Sequence, residues 1–558
     1  MDYEKLQNFA PFQSTSLVTV KRLKLNNMNN YFNRWFYLLS FLAGASLVLA
    51  FAPIGLYPIA WLSPAILFYA LSHASSKKEH FYITWLYGIG MFGTGTSWVF
   101  YAMHFYSRAS IPVAGTFTTL FVVIIALTIG LFGLLAYLFR RHNKSLRLLF
   151  FYPLAWVIIE WFRGWFLTGF PWLYLGNSQL DSVLVHIAPI TGVLGVSLLC
   201  ALLAGAIANL LSLKPANKIV WTNNPNANHL KVKQKFRYIP QFLSLVIIVS
   251  IVLGAWYSKT IDWTQPQGEA IKVSLIQGNI PQEKKWLPEN KKPTLDLYKK
   301  LTQENWDSDL IIWPETAIPD LFANNMRDFI IPLQEEAKAT HTDLLLGAFY
   351  QNEQGKIENS VLALTQNGRD IYSKRHLVPF SEYIPLLGYL RWLNEWVQMP
   401  SDNLTAGTGP TTLNLSNHIA QLSICYEDAF ASENLQGLPL ASMLINVSND
   451  GWFTGSIEPH QHMEIARMRA IETGRYLLRS TNIGVSGVVN TKGELVATAP
   501  PYTTTVISHK IQAFTGKTPF MIWGNWGVIS LIFLLLALGY YITAPQKTDS
   551  LPLKNLAH

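Results

Sequence analysis

Thiols and charge are the scarcest features of this chain. Cys200 and Cys425 are its two cysteines in 558 residues, one in an apolar membrane-type run and one at the end of a strand-like run, so no disulfide framework is expected. Only 14% of the residues are charged, against 50% hydrophobic and 13% aromatic, which excludes an ordinary soluble enzyme. The length leaves room for two or three domains. No internal repeat or low-complexity stretch interrupts it. The net charge of +9 does not read as a nucleic-acid surface, because the basic residues gather in short loops beside apolar spans. His460 and His462 are two apart and fall on different helical faces, with no third histidine or cysteine nearby, so neither a metal site nor a cofactor is expected. Residues 1–34 lack the basic-then-apolar order of a cleavable signal, and the first span is expected to stay as an anchor.

What is abundant is apolar sequence in blocks long enough to cross a bilayer, roughly 20 residues per helix. They lie near 35–52, 55–74, 82–105, 111–139, 148–168, 183–213 and 239–258, with an eighth, 521–543, alone near the C-terminus. The expected architecture is therefore a cytoplasmic tail (1–34), a seven-helix transmembrane bundle (35–258), a separate domain (262–510), a C-terminal transmembrane helix and a second tail (544–558). Lys77 and Lys78, then Arg140, Arg141, Lys144 and Arg147, then Lys214, Lys218, Lys231, Lys233, Lys235 and Arg237 occupy alternate loops, which places those loops in the cytoplasm. By parity, 262–510 lies on the far side.

That far-side segment changes character. Short β-like runs at Ile271–Ile276, Leu310–Trp313, Leu344–Phe349, Val361–Thr365, Ile419–Ile424, Met443–Val447 and Gly484–Asn490 alternate with helical patterns such as His462–Arg475, giving an α/β domain. Its focus is Gln421-Leu-Ser-Ile-Cys425-Tyr-Glu427-Asp428, a buried strand that delivers a thiol to its end. A thiol is a nucleophile only as thiolate, so it needs a base and an electropositive group from elsewhere. Ile311-Ile-Trp-Pro-Glu315 ends another strand in a carboxylate, and Tyr372-Ser-Lys374-Arg-His376 supplies a lysine, followed by Pro379-Phe-Ser-Glu382-Tyr.

Glu, Lys and Cys in that order, each at a strand end, resemble the nitrilase (carbon-nitrogen hydrolase) superfamily. The resemblance implies a two-sheet α/β sandwich and a catalytic triad of Glu315, Lys374 and Cys425. Together with membrane spans on both sides, the signatures Gln277-Gly-Asn-Ile-Pro-Gln282 with Lys285-Trp286, Trp313-Pro-Glu315-Thr, Cys425-Tyr-Glu427, Asn446-Val-Ser-Asn-Asp450-Gly-Trp-Phe453 and Arg469-Ala-Ile-Glu472-Thr-Gly-Arg475 resemble the apolipoprotein N-acyltransferase family over nearly the whole chain. One departure is Ser381, where that family usually carries glycine. The resemblance implies a bacterial inner-membrane enzyme, its catalytic domain periplasmic. It would move an acyl chain from a phospholipid, typically phosphatidylethanolamine, to the α-amine of diacylglyceryl-modified apolipoproteins through a thioester on Cys425. Glu315 would be the general base, and Lys374 with the backbone N–H of Tyr426 would face the oxyanion. A membrane-tethered amidohydrolase acting on small amides with the same triad is the alternative; one anchor would serve it, whereas here about eight spans are expected.

Supporting positions follow. Glu382 either orients Lys374 or places the attacking amine, Tyr426 and Glu427 shape the pocket, and Trp286 meets substrate or anchors at the interface. The stretch 386–399, too apolar for a solvent loop and too short to span, reads as an arm in the membrane surface carrying Trp392, Leu393 and Trp396. His376 could pair with Cys425 in a papain-like dyad, but Lys374 two residues earlier fits the stronger pattern. Arg469 and Glu472 are spaced for a helical ion pair. Glu160 and Arg163, in or beside the fifth span, either pair or meet a lipid head group.

Overall fold

The computed structural model describes residues 34–212, 239–384 and 404–543. Seven apolar helices come first: α1 (Arg34–Ala50), α2 (Ile59–His73), α3 (Lys77–Gly95), α4 (Ile111–Leu138), α5 (Lys144–Arg163), α6 (Val183–Leu211) and α7 (Ile239–Ser258). Among the described residues, five helices are long and apolar enough to cross a membrane: α4, α5, α6, α7 and the C-terminal helix. The expected count of eight spans is not reached among the described residues: α1 and α2 are shorter, and α3, 19 residues long with Lys77, Lys78 and Glu79 in its first turn, is not apolar enough. Helix α3 starts five residues before the expected 82 because Ser76 and Glu79 form a reciprocal capping box, and it stops at Gly95 rather than running to 105. Close backbone crossings hold α1 against α3: a Cβ on Gly44 would lie 2.0 Å from the Tyr87 carbonyl oxygen, and one on Gly90 would lie 2.2 Å from that of Phe41.

The segment after α7 forms two six-stranded sheets. The first runs in the order β12-β1-β2-β3-β4-β5, with β1 Thr264–Gln277, β2 Leu310–Ile312, β3 Asp343–Gln351, β4 Ile357–Thr365, β5 Gly368–Ser373 and β12 Thr505–Gly516. The second runs β11-β10-β9-β8-β7-β6, with β6 Thr412–Leu415, β7 His418–Ile424, β8 Met443–Ser448, β9 Tyr476–Thr481, β10 Gly487–Val489 and β11 Leu495–Thr498. Their inner faces share one core in which Val273, Leu275, Leu310 and Leu345 meet Leu422, Ile424, Ile445 and Leu478. Helices α8 (Pro288–Gln303) and α9 (Ile331–Ala339) cover the outside of the first sheet. This is the two-sheet sandwich that the sequence resemblance implied.

Helix α10 (Glu458–Thr473) covers the second sheet and joins the two halves of the molecule. Met463, Ala466 and Ala470 press on Leu444, Leu477 and Val489, while Ile465, Met468 and Ile471 enter the core of the bundle. With 14 of its 16 residues buried, it has almost no solvent face. Its polar side chains complete bundle backbone and side-chain groups instead. Gln461 accepts from the indoles of Trp98 (3.2 Å) and Trp172 (2.8 Å), Glu464 accepts from Ala52 N (3.2 Å), and Glu472 accepts from Val193 N (2.7 Å). That last amide is free because α6 is broken at Gly192 (φ +66°), where a Cβ would also strike the Phe520 ring at 2.2 Å. Phe520 begins the C-terminal helix α11 (Pro519–Thr543), so the break lets α11 pack against α6.

Candidate active site

Strand β7 buries Ala420, Leu422 and Ile424 between the sheets and then ends, leaving Cys425 at φ +53° at the head of a short turn, Cys425–Ala429. A positive φ is costly for a residue with a Cβ and persists only where neighbours hold it. Glu427 does much of the holding. One of its carboxylate oxygens accepts from Ile424 N (2.6 Å) and the Tyr372 hydroxyl (2.7 Å), the other from Arg375 N (2.6 Å) and His376 N (3.0 Å). The end of β5, which carries Lys374, is thereby fastened to the turn that carries Cys425. Burial, with Glu433 nearby, pushes the Glu427 carboxyl up to about 7. Glu427 therefore clamps the turn that carries Cys425 to the segment after β5.

Glu315 follows β2, which the Trp313 indole secures by donating to the Thr302 hydroxyl at 2.9 Å. One Glu315 oxygen accepts from Asn359 Nδ2 at 2.7 Å, and the same amide reaches Glu382 at 3.2 Å. Lys374, 1% exposed, has its Nζ 2.9 Å from Glu382 and 3.8 Å from Glu315. Glu382 also accepts from Val378 N at 2.8 Å, which ties the Lys374 ammonium to the loop that follows it. Burial works against the Lys374 charge, but Glu382, Cys425 and Glu315 outweigh it and hold the ammonium above its ordinary pKa. Burial raises Glu315, with Glu382 adding to the effect and Lys374 opposing it. The Cys425 thiol is pushed up to about 12, chiefly by burial and then by Glu315. At rest the thiol keeps its proton, so the site needs a base at the moment of attack, and Glu315 is a carboxylate suited to that task.

Several residues here carried no assigned role in the sequence. Lys285, fully buried, donates to the Thr316 hydroxyl (2.5 Å) and the Glu315 carbonyl (3.2 Å); burial lowers its pKa to about 8. Thr316 sits at φ +48°, so Lys285 holds the strained turn that aims Glu315. Behind Cys425, Asn446 donates to the Cys425 carbonyl at 3.2 Å and to Ser423 at 2.9 Å, and its own oxygen accepts from Arg479. Arg479 also reaches Asp428 (2.8 Å) and Asp450 (3.1 Å), which His462 bridges at 2.9 and 3.1 Å. Burial and Arg479 both disfavour charge on His462, yet Asp428 and Asp450 outweigh them and raise its pKa well above the ordinary value. Asp450, Glu458 and His462 bring their ligand atoms within 4.8 Å of one another, a spacing that suits a cation. The Arg479 guanidinium already serves these groups, lying 2.9 Å from His462 Nδ1 as well as on Asp450.

The remaining expected positions are dispersed. Tyr426 turns toward the bundle, where its hydroxyl donates to the Gly169 carbonyl at 3.0 Å and its ring lies along Trp172. Trp286 is stacked on Phe349 and half-exposed, one residue beyond Lys285. Trp392, Leu393 and Trp396, with the whole arm 386–399, lie outside the described residues. His376 does not pair with Cys425: its Nδ1 is on Glu433 at 2.6 Å. Arg469 and Glu472 form the expected ion pair at 3.1 Å. Glu160 and Arg163 serve different partners, the carboxylate accepting from Trp156 Nε1 and Leu175 N, both at 2.9 Å, and the guanidinium donating to the carbonyls of Phe170 (2.8 Å) and Trp172.

The two-sheet sandwich, in which Glu315 follows β2, Lys374 follows β5 and Cys425 follows β7, is that of a carbon-nitrogen hydrolase superfamily member, since residues 272–520 match the carbon-nitrogen hydrolase family. Residues 43–206 match the family described as the apolipoprotein N-acyltransferase N-terminal domain. The apolipoprotein N-acyltransferase of Methylococcus capsulatus is 40% identical over 88% of this chain and 94% of its own length, and that of Coxiella burnetii 37% identical over 90% and 99%. A carbon-nitrogen hydrolase superfamily protein of Xanthomonas campestris aligns at a TM-score of 0.34 and 18% identity, over 44% of this chain and 91% of its own. This chain belongs to the apolipoprotein N-acyltransferase family.

Proposed function

We propose that this protein transfers a fatty acyl chain from a membrane phospholipid, phosphatidylethanolamine in the first instance, to the α-amine of the diacylglyceryl-cysteine that begins an apolipoprotein, with Cys425 carrying the acyl group as a thioester. The observation that carries the reading is the buried Glu315–Lys374–Glu382 cluster beside Cys425, in a domain whose helix α10 is embedded in the membrane bundle. Such docking suits substrates that reach the site from lipid. Glu315 takes the thiol proton as sulfur attacks the ester carbonyl, then passes it to the departing lysophospholipid. An ammonium has three N–H donors. Glu382 accepts an N–H of Lys374 while Glu315, at 3.8 Å, is an ion-pair neighbour, and a remaining N–H, with the backbone N–H of Tyr426, meets the oxyanion. The catalytic domain faces the periplasm of a bacterial inner membrane.

The test is the N-terminus of cellular lipoproteins. Cells depleted of this protein should accumulate lipoproteins whose diacylglyceryl-cysteine keeps a free α-amine, read by peptide mass. Fully N-acylated lipoproteins after depletion would exclude the reading and favour the small-amide hydrolase.

A further inference from the structure

The transfer proposed above has an unequal proton count in its second half. A free α-amine has a pKa of about 7.7–8.0 and enters mostly as ammonium, so the nitrogen sheds two protons on its way to an amide. One returns to the Cys425 sulfur when the C–S bond breaks, and Glu315 is placed to carry it. The other leaves the site altogether, and Glu315 cannot absorb it while also serving the sulfur. A second acceptor is needed.

His376 has the required chemistry. It stands two residues beyond Lys374, its ring stacked on Phe430 at 3.8 Å and edge-on to Tyr426, the neighbour of Cys425. Nδ1 is 2.6 Å from the Glu433 carboxylate, and an ionised carboxylate can only accept, so Nδ1 carries the proton and Nε2 keeps its lone pair. Among the described residues Nε2 is buried without a hydrogen-bond partner. The same aromatic group touches the bundle, through the Tyr426 hydroxyl on the Gly169 carbonyl and through Phe430, whose ring lies 2.9 Å from where a Gly169 Cβ would be. The dyad therefore lies beside the helical bundle, the side from which the proposed lipid-anchored amine would come. The two side chains are 17% and 24% exposed, against 1% for Lys374, so the dyad sits nearer the surface than the triad lysine.

We propose that His376, oriented by Glu433, is the second base of the reaction and takes the first proton from the acceptor's ammonium. The neutral amine then attacks the thioester carbonyl, the C–N bond forms as the C–S bond breaks, Glu315 moves the remaining N–H proton to sulfur, and His376 releases its proton to water. This rests on the two-step reading above, and the test separates the two. Full-length enzyme in detergent is first acylated with phospholipid alone, and thioester decay is then followed after adding a diacylglyceryl-cysteine peptide. In His376→Gln the lysophospholipid burst should match that of the parent, whereas thioester decay to the peptide amine should slow on the order of 10²-fold. Decay to hydroxylamine, neutral at the assay pH, should be unaffected. Glu433→Gln should show the same pattern in smaller measure. Equal slowing of both halves, equal slowing with hydroxylamine, or full speed with the peptide would overturn the assignment. If the parent releases no lysophospholipid without acceptor, the two-step reading itself fails and this one falls with it.

Discussion

At the scale of single residues, two buried groups that never touch substrate in this account set the geometry of those that do. Glu427 satisfies three backbone amides and a phenol, so Glu427→Gln replaces an oxygen acceptor by a donor and leaves buried N–H groups unpaired, at a cost of about 1–3 kcal/mol. The expected result is a lower thermal midpoint together with near-complete loss of transfer, and an active variant of parental stability would show that the clamp is dispensable. Lys285 gives a pH signature. Its folded pKa of about 8 lies below the ordinary 10.5, so below pH 8 both states are charged and the burial cost is fully present. Between the two values the unfolded chain binds a proton that the folded chain has released, and this contribution to stability rises with pH. The thermal midpoint of the parent should therefore gain on that of Lys285→Met between pH 8 and 10.5; a constant difference would contradict the assignment. Glu315, Lys374, Glu382 and Cys425 were legible in the sequence because each ends or follows an apolar run. Asn359 and Arg479 were not, because they sit within strands and acquire their meaning from register: Asn446 lies opposite Arg479 across β8 and β9, and Lys374 N donates to the Asn359 carbonyl at 2.8 Å.

At the scale of elements, α10 is the joint between domain and bundle. Glu472→Ala would leave Arg469 buried without its counter-ion and Val193 N without an acceptor, a loss of roughly 3–5 kcal/mol. Its unfolding midpoint in detergent should fall accordingly, and parental stability would show that the pair is not a structural tie. Helical periodicity located this helix but not its surroundings, because a helix buried on all sides has no polar face to orient it. Strands with clear apolar runs were equally visible. β12 was not, since its burial alternates around His509 and Lys510, and β9 was masked by Arg479, whose charge is answered only by Asp428 and Asp450 in three dimensions.

At the scale of the whole molecule, composition announced the membrane and the change of pattern after 262 announced the second domain, but nothing in the chain foretold that the two would share a core through Ile465, Met468 and Ile471. The proposed sidedness rests on the basic loops. Reporter enzymes active only outside the cytoplasm should work when fused within 270–510 and fail in the loop around Arg141, and the opposite pattern would reverse the topology.

The central claim is that one thiol, activated by one carboxylate, carries the acyl group between two lipid-anchored substrates. It is tested most directly by giving purified enzyme phospholipid donor and no acceptor. The account predicts one lysophospholipid released per active site and one acyl mass gained on Cys425, labile to hydroxylamine. Cys425→Ala and Glu315→Gln should abolish the gain, and Lys374→Ala should slow it on the order of 10²-fold. Lysophospholipid appearing only after acceptor is added, or free fatty acid accumulating catalytically from donor alone, would contradict it.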